Sequence, residues 1–489
     1  MLWEEIQFLS TDPVSGRSPP VEKLLMNAII LGRFQYQDMI LDASCIEFLR
    51  EPSCGYASRL QRHVIECFGE RLGAPSDRKL QDDWFYDRAV PALKLWTFLS
   101  VEERKRQTHH SPSFQHHEFK TGVNLIGFAS ATMGLGEDLR SIAEILEQAG
   151  VPLAICDVQT KQSKISGTES RLERYFCSRP IYPINIICLP WFETLKLHAT
   201  KGASFFDNRF SIGVWPWELE HLPIGCSRLF SFMNEVWAPS AFCLSAYSGL
   251  EATSIQLMDP IVCLNSYDVV DHGCDSISDR EFVVLSAIDF NSFVGRKNPQ
   301  GSMDSFLRAF NRTDLEARLV IKTINGLNNL RDYADLRNSA AVDGRILIWD
   351  EDISRSRMRG LIARANCFLS LHRSEGFGRV IAEAMLIGTP VVATSWSGSS
   401  EFVTEATSFP IPSKLIPVSA GSYPYHQNCK WAEPDLNAAA NALTAIRGRH
   451  PVVSTKVIAG HELIKRRYSA EAAGQAMLTR LMHIERLVN

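Results

Sequence analysis

Two glutamates carry the strongest chemical signal in the chain. Glu375 and Glu383 stand with seven residues between them in SEGFGRVIAEAMLIGT, and Gly376 and Gly378 follow the first. Glycines there let the backbone come close to a ligand. A helix opening after them presents first-turn N–H groups with no partner inside the helix, and with the helix dipole these form an anion site. At a rise of about 1.5 Å per residue, Glu383 is expected roughly 8–10 Å down the helix from its first turn. An anion site between two carboxylates at that separation suits a ligand with a diphosphate in its middle and hydroxyls at both ends. A nucleotide sugar has that form.

The flanking pattern supplies the elements that hold these groups. Cys367 to Leu371 reads as a buried strand, and Val380, Ile381, Ala384, Met385 and Ile387 as the buried side of a helix stopped by Gly388. Pro390 to Thr394 is the next strand, so the stretch is a strand–loop–helix–strand unit of a parallel sheet. The same half of the chain begins near Glu281 with an apolar strand, Phe282 to Ile288, then the loop DFNSFVGRKNP, which holds Arg296 and Lys297. Lys322 lies near the end of the strand ARLVIKT. Ligands of open parallel sheets bind outside the carboxyl ends of strands, and cations there can neutralise a departing nucleoside diphosphate.

An earlier βαβ unit starts at Val123. Its strand runs to Phe128, its loop carries Gly134 and Gly136, its helix places Leu135, Leu139, Ile142, Leu146 and Ala149 on one face, and its second strand runs from Val151 to Asp157. Asp157 stands where a dinucleotide-binding fold has its acid. The glycines do not fit, because Gly127, Gly134 and Gly136 follow G-x6-G-x-G rather than G-x-G-x-x-G. A nicotinamide-dependent oxidoreductase is therefore a poor reading. Strands at 184–189 and 210–215 and a helix at 193–199 continue the alternation, followed by Trp215-Pro216-Trp217-Glu218-Leu219-Glu220 and Glu235-Val236-Trp237-Ala238-Pro239-Ser240.

The segment from Glu375 to Glu383, with Gly-Phe-Gly after the first glutamate and Glu-Ala-Met at the second, resembles the E-x7-E motif of retaining glycosyltransferases of the GT4 type. The W-x-W-E-L-E and E-x-W-A-P-S segments are similar to a subset of that family linked to bacterial surface polysaccharide and lipopolysaccharide synthesis. The resemblance implies an α/β GT-B fold: two Rossmann-like parallel-sheet domains facing a cleft, here after an N-terminal helical accessory domain. The expected boundaries are 1–120 for the accessory domain and its His-rich linker, 121–277 for the acceptor-side domain, 278–455 for the donor domain, and 456–489 for a helix crossing back to the first Rossmann-like domain.

The resemblance also implies roles. Donor contacts are expected from Gly134, Gly136, Arg296, Lys297, Lys322, Glu375, Gly376, Phe377, Gly378 and Glu383, with Glu375 on the sugar and Glu383 on the ribose. Lys297 matches the family's lysine. The usual upstream arginine falls near Asn291 and is missing, so Arg296 or Lys322 takes its place. Where many relatives place a histidine, this chain has Trp215 and Pro216, which leaves Glu218 to orient an acceptor hydroxyl and Trp215 and Trp217 to stack on a sugar. The expected catalytic set is thus Glu375, Lys297 and Glu218, with no metal and no cofactor beyond the donor. The expected reaction moves a hexose or deoxyhexose, with mannose or rhamnose favoured, from a nucleotide sugar to a glycan or lipid-linked glycan. The alternative is a non-catalytic nucleotide-sugar or glycan-binding subunit of a polysaccharide synthesis complex.

Bulk properties bound the rest. A chain of 489 residues holds two or three domains, and a net charge of −4 leaves no footprint for nucleic acid. Twelve cysteines without a C-x-x-C pair point to a reduced, cytoplasmic protein. MLWEEIQFLS lacks the basic start and apolar run of a signal peptide, and no apolar run spans a bilayer, so any membrane contact is peripheral, at the inner face. Helical spacing at 21–30 and 89–96 suggests the helical accessory domain, and the histidines at 109, 110, 116 and 117 lie in a polar linker. Arg355, Arg357, Arg359 and Arg364 are expected on a solvated helix face, and Ser397 to Glu401 at the cleft, leaving room for a base or ribose. Residues 409–434 read as a long ordered loop, and 435–447 and 470–487 as helices.

Overall fold

The computed structural model describes residues 48–52, 56, 58–72, 74–89, 119, 121–131, 134–158, 168–223, 232–248, 250, 253–263 and 280–488. The described residues before position 90 belong to a unit of their own. It contains α1 (Arg59–Leu72) and α2 (Arg78–Trp84), which runs on into a π turn, Phe85–Ala89. Leu60, Val64, Phe85 and Ala89 are among its buried apolar residues, and Arg62 pairs with Glu66 one turn later at 2.9 Å. The periodic stretches at 21–30 and 90–96, and the histidine-rich segment, lie outside the described residues.

The second unit holds two six-stranded parallel sheets. The first comprises β1 (Val123–Gly127), β2 (Leu153–Asp157), β3 (Ile184–Cys188), β4 (Phe210–Val214), β5 (Glu235–Ala238) and β6 (Ser254–Leu257), in the order β2-β1-β3-β4-β5-β6. Its helices are α3 (Gly134–Gln148), α4 (Trp191–Lys201) and α5 (Ala241–Ala246). β1 and β3 are buried throughout, as expected of strands covered on both faces. Asn124, inside β1, is satisfied there: its Nδ2 donates to the carbonyls of Tyr182 (2.7 Å) and Ile184 (3.1 Å) and to Asn185 Oδ1 (2.9 Å).

The second sheet comprises β7 (Phe282–Asp289), β8 (Ala317–Ile324), β9 (Ile346–Asp350), β10 (Cys367–Ser370), β11 (Val391–Thr394) and β12 (Phe409–Ile411), in the order β12-β11-β10-β7-β8-β9. Its helices are α6 (Val294–Lys297), α7 (Pro299–Ala309), α8 (Leu330–Ala340), α9 (Arg355–Arg364) and α10 (Arg379–Ile387). α8 carried no clear signal in the sequence because only Leu336 and Ala340 of it are buried.

The expected loop at 409–434 is partly strand. After β12, β13 (Ser413–Pro417) and β14 (Lys430–Pro434) pair antiparallel, Ser413 opposite Pro434 and Pro417 opposite Lys430. α11 (Leu436–Arg447) follows, with Asp435 accepting from the N–H groups of Asn437 and Ala438 at its start. The range 456–489, with a helix expected over 470–487, holds most of α12 (Val452–Tyr468) and all of α13 (Gln475–Val488). Ser469 divides them: its side chain accepts from Ala472 N at 3.1 Å and opens a π turn, Ala470–Gly474. α12 packs on α10 in the second half, where His461 Nδ1 lies 2.7 Å from Leu386 O. α13 returns to the first sheet, where Met477, Leu478, Leu481 and Ile484 share a core with Val123, Leu125, Leu139 and Ile142.

Candidate active site

The strand order of the second sheet makes the site. β7 lies between β10 and β8, so the loops leaving the carboxyl ends of β7 and β10 meet at a switch point. The first loop passes through Phe293 in a left-handed conformation, forms the short α6, and ends at Asn298, also left-handed. Asn298 ties both loops: its Oδ1 accepts from Gly301 N at 3.1 Å to start α7, and its Nδ2 donates to Leu371 O at 2.9 Å beyond β10. This fixes Arg296 and Lys297 against the second loop.

Glu375 receives both cations. Lys297 Nζ is 2.5 Å from its Oε1, and Arg296 NH1 is 3.3 Å from its Oε2. Arg296 is buried and further held by Ser374 O (2.7 Å) and Ser292 O (3.2 Å), with NH2 3.8 Å from Glu218 Oε1. Burial alone pushes a carboxyl up, but Lys297 and Arg296 outweigh it and hold Glu375 down at about 2. The guanidinium of Arg296 is likewise raised, against its burial, by Glu375 and Glu218. Among the residues expected at the site, the structure brings Arg296, Lys297, Glu375 and Glu218 into one charged cluster.

α10 opens directly after this cluster. Gly378 is its N-cap, at φ +92°, a backbone that favours glycine, and no side chain caps the helix. α9 differs, with Ser354 Oγ accepting from Arg357 N. The first N–H groups of α10 therefore keep the character of an anion site. Because the helix begins at Arg379, Glu383 is its fifth residue, roughly 6 Å along the axis rather than the 8–10 Å expected. Glu383 is buried, with Oε1 3.8 Å from Arg379 NH1.

Other expected residues take different places. Lys322 stands apart from the cluster: its ammonium donates to Thr323 O of its own strand (2.7 Å) and to Glu351 O beyond β9, and lies over the Trp349 ring of β9. The Phe377 ring is buried against Phe402 (5.2 Å) and Tyr468 (5.1 Å). Trp215 and Trp217 are fully buried, so they pack the core and offer no face to a sugar. Gly134 is exposed at the start of α3, and Gly136 is buried two residues on. Ser397 to Glu401 braces the loop. Ser397 Oγ accepts from Glu375 N (2.8 Å), Gly398 N donates to Glu375 O (2.9 Å), and Glu401 accepts from Ala241 N (2.6 Å). Arg355 and Arg359 leave the expected solvated face as well: Arg359 is buried and donates to Cys263 O at 2.7 Å, and Arg355 Nε lies 3.1 Å from Glu137 Oε2 of α3.

Three features of the site had no part in the sequence expectations. His372 is fully buried between Ser370 Oγ and Ser399 Oγ, 3.0 Å from each, and burial lowers its imidazole to about 4, so the neutral ring spaces the two loops. Arg373 forks onto Glu433 of β14 (2.6 and 3.1 Å) and donates to Gly295 O. Tyr423, between β13 and β14, donates its hydroxyl to Glu218; burial and then Glu218 raise the phenol well above its usual range, so it keeps its proton. A histidine at a strand end was visible as a signal in HRSEGFG. The other two partners are too distant in the chain for spacing to reveal them.

Over the body of the chain the architecture matches known enzymes. It is similar to Anabaena Alr3699/HepE, solved in complex with UDP and glucose, at a TM-score of 0.52 and 15% identity, covering 74% of this chain and 100% of that one. It is also similar to sucrose-phosphate synthase from Thermosynechococcus elongatus, at a TM-score of 0.52 and 15% identity, over 75% of this chain and 99% of that one. The fold is GT-B. Within its second domain, residues 291–416 match the family described as Glycosyl transferases group 1, which includes Arg296, Lys297, Glu375 and Glu383. A D-inositol 3-phosphate glycosyltransferase of Kribbella flavida is 27% identical over 169 residues, a match spanning 32% of this chain and 38% of that enzyme.

The two GT-B domains touch around the glutamate loop. Ser240 Oγ, at the start of α5, donates to Gly376 O at 2.6 Å. Gly376 is tightly enclosed: a Cβ there would lie 3.1 Å from Trp217 N and 3.2 Å from Pro216 Cβ. Val418, Tyr423, Cys429 and Trp431 of the β13–β14 hairpin join the core around Trp191, Trp217 and Leu219 of the first domain. None of the helices among the described residues is long and apolar enough to cross a membrane, and those residues hold no group of three metal-ligating side chains.

Proposed function

We propose that the protein is a retaining glycosyltransferase that moves a hexose or deoxyhexose from a nucleoside-diphosphate sugar to a glycan or lipid-linked glycan. The observation that carries this reading is Glu375, held ionised by Lys297 and Arg296 beside the uncapped opening of α10. The match of residues 291–416 to group 1 glycosyl transferases supports it, as does the UDP-glucose complex of the similar Anabaena protein.

In this reading the diphosphate lies at the start of α10, with Lys297 and Arg296 taking up the charge that grows on it as the anomeric C–O bond breaks. Glu375 binds donor sugar hydroxyls and Glu383 the ribose hydroxyls. Glu218, fixed by Tyr423, orients the acceptor hydroxyl. The acceptor oxygen bonds to the anomeric carbon on the face the diphosphate leaves, and its proton passes to the departing phosphate oxygen. The charge of the diphosphate is met by side-chain cations and backbone N–H groups, so no metal is required. Surface polysaccharide synthesis is the proposed setting, with mannose or rhamnose as the favoured sugar and peripheral contact with the inner membrane face where the acceptor is lipid-linked.

The test is binding of GDP, UDP and dTDP side by side, with Glu383→Ala as control, followed by transfer assays with sugars of the preferred base. One nucleotide is expected to bind tightly and to weaken in the variant, and Glu375→Ala is expected to abolish transfer. Full transfer by Glu375→Ala overturns the assignment.

A further inference from the structure

The donor-side cations are already paired within the protein. Lys297 and Arg296 face Glu375 and Glu218, and a third cation, Arg379, faces a carboxylate of the opposite domain. Arg379 is the first residue of α10, directly after Gly378. It therefore stands at the end of α10 where an anion site forms, with its NH1 3.8 Å from Glu383 Oε1. Its Nε is 3.0 Å from Asp138 Oδ1, and its NH2 donates to the same oxygen. One oxygen takes both donors, which is a poorer match to a guanidinium than two oxygens side by side.

Asp138 is an uneasy partner. It is the fifth residue of α3, two residues after Gly136, beside Glu137, which accepts from Arg140 (2.6 Å) and forms an ion pair with Arg355 (3.1 Å). Burial, with a further push from Glu137, raises the Asp138 carboxyl despite Arg379. The Arg379 guanidinium is raised, against its burial, by Asp138 and Glu383.

We propose that Asp138 stands in for a donor phosphate oxygen, holding Arg379 while the site is empty and yielding it to the diphosphate when the donor binds. This rests on the donor-site reading above. A diphosphate brings more charge than one carboxylate and can offer the guanidinium two oxygens in its plane. Arg379 is then a third phosphate-binding cation. Asp138 makes the first domain a competitor for the site, so the pair couples donor occupancy to contact between the domains. The exchange breaks and forms only ion pairs and hydrogen bonds.

The experiment titrates wild type, Asp138→Asn, Arg379→Ala and the double variant with UDP, UMP and uridine, or with the guanine or thymine series if wild type prefers that base. Asp138→Asn is expected to bind the diphosphate about tenfold more tightly, the monophosphate with a smaller gain and the nucleoside unchanged. Arg379→Ala is expected to bind the diphosphate about tenfold more weakly, and Asp138→Asn to give no gain in its presence. A simple loosening of the fold does not scale with phosphate number. Unchanged or weaker diphosphate binding in folded Asp138→Asn overturns the proposal, as does a gain that persists without Arg379 or extends equally to the nucleoside. Asp138→Ser serves as the second variant if the asparagine form loses its cooperative thermal transition. If wild type binds none of the three diphosphates, the donor-site reading falls and this proposal with it; if wild type binds one and neither Asp138 variant gains, only this proposal falls.

Discussion

Lys297 follows β7 and Lys322 lies near the end of the neighbouring β8, and both are largely withdrawn from water, yet they do different things. Lys297 lies beyond β7, whose other neighbour is β10, and a carboxylate from the β10 loop meets it. Lys322 lies near the end of β8, where the neighbour is β9, and it meets backbone carbonyls and the face of Trp349. A cation at a strand end is therefore not sufficient for a site. The switch between β7 and β10 is what sets two loops of opposite charge against each other.

The largest expected effect comes from breaking the Lys297 side. Lys297→Ala removes the ammonium that neutralises the leaving diphosphate and leaves Glu375 with Arg296 alone. Transfer from the preferred nucleotide sugar is expected to fall by about 10²–10³-fold, typical of losing one preorganised charge partner at a reacting centre. Steady-state rates decide it; a fall of less than about threefold in folded protein removes Lys297 from the chemistry.

The same pair sharpens the comparison through pH. The Glu375 carboxyl is lowered from 4.5 to about 2 in the folded protein. Its contribution is fully present above about pH 4.5 and is lost as pH falls through about 2. By linkage it amounts to about 3 kcal/mol at neutral pH. Urea unfolding midpoints measured between pH 5 and pH 3 are expected to fall more steeply in wild type than in Glu375→Gln, which has no carboxyl to protonate there. Parallel curves contradict the clamp.

A smaller effect is expected on the acceptor side. Tyr423→Phe keeps the rings packed near Trp217 (5.8 Å) and Phe293 (4.9 Å) but removes the hydroxyl that Glu218 accepts from. A lost hydrogen bond to a charged group corresponds to about tenfold in rate or acceptor KM. Donor-nucleotide affinity is expected to stay put, which assigns the Tyr423–Glu218 contact to the acceptor rather than to donor binding. A variant that loses nucleotide binding instead places Tyr423 in the donor site.

These contrasts show which parts of the site were legible in the sequence. Strands β7, β8, β10 and β11, the helix over Val380 to Ile387 and the cations of the β7 loop were readable because their signals are local: apolar runs, glycines and a lysine within a few residues. The pairings were not. Tyr423 reaches Glu218 across 205 residues, Arg379 reaches Asp138 across 241, and Arg373 reaches Glu433 across 60. No periodicity encodes such contacts. Trp215 and Trp217 misled for a different reason: an aromatic ring suits a core and a sugar platform equally, and only burial separates the two uses. The helix after Ser469 was readable over 470–487, whereas α12, Val452–Tyr468, was not.

Lys322 gives the smallest expected effect on donor binding and the sharpest contrast with Lys297. Lys322→Met keeps the length of the side chain beside Trp349 and removes the ammonium. With no carboxylate of the glutamate loop in contact with it, nucleotide affinity is expected to change by less than about twofold, below the value of one ordinary hydrogen bond. The charge shows itself in stability instead. Burial outweighs the pull of Asp350, Asp352 and Glu351 and lowers the amine from 10.5 to about 8. Between about pH 8 and 10.5 the unfolded chain binds a proton that the folded one has released, so wild type gains stability as pH rises through that window. Lys322→Met has no such group and is expected to lose that part of the rise in urea unfolding midpoints. If the variant keeps the full rise, the ammonium is not the buried group described; if it loses nucleotide binding, the β8 edge belongs to the donor site after all.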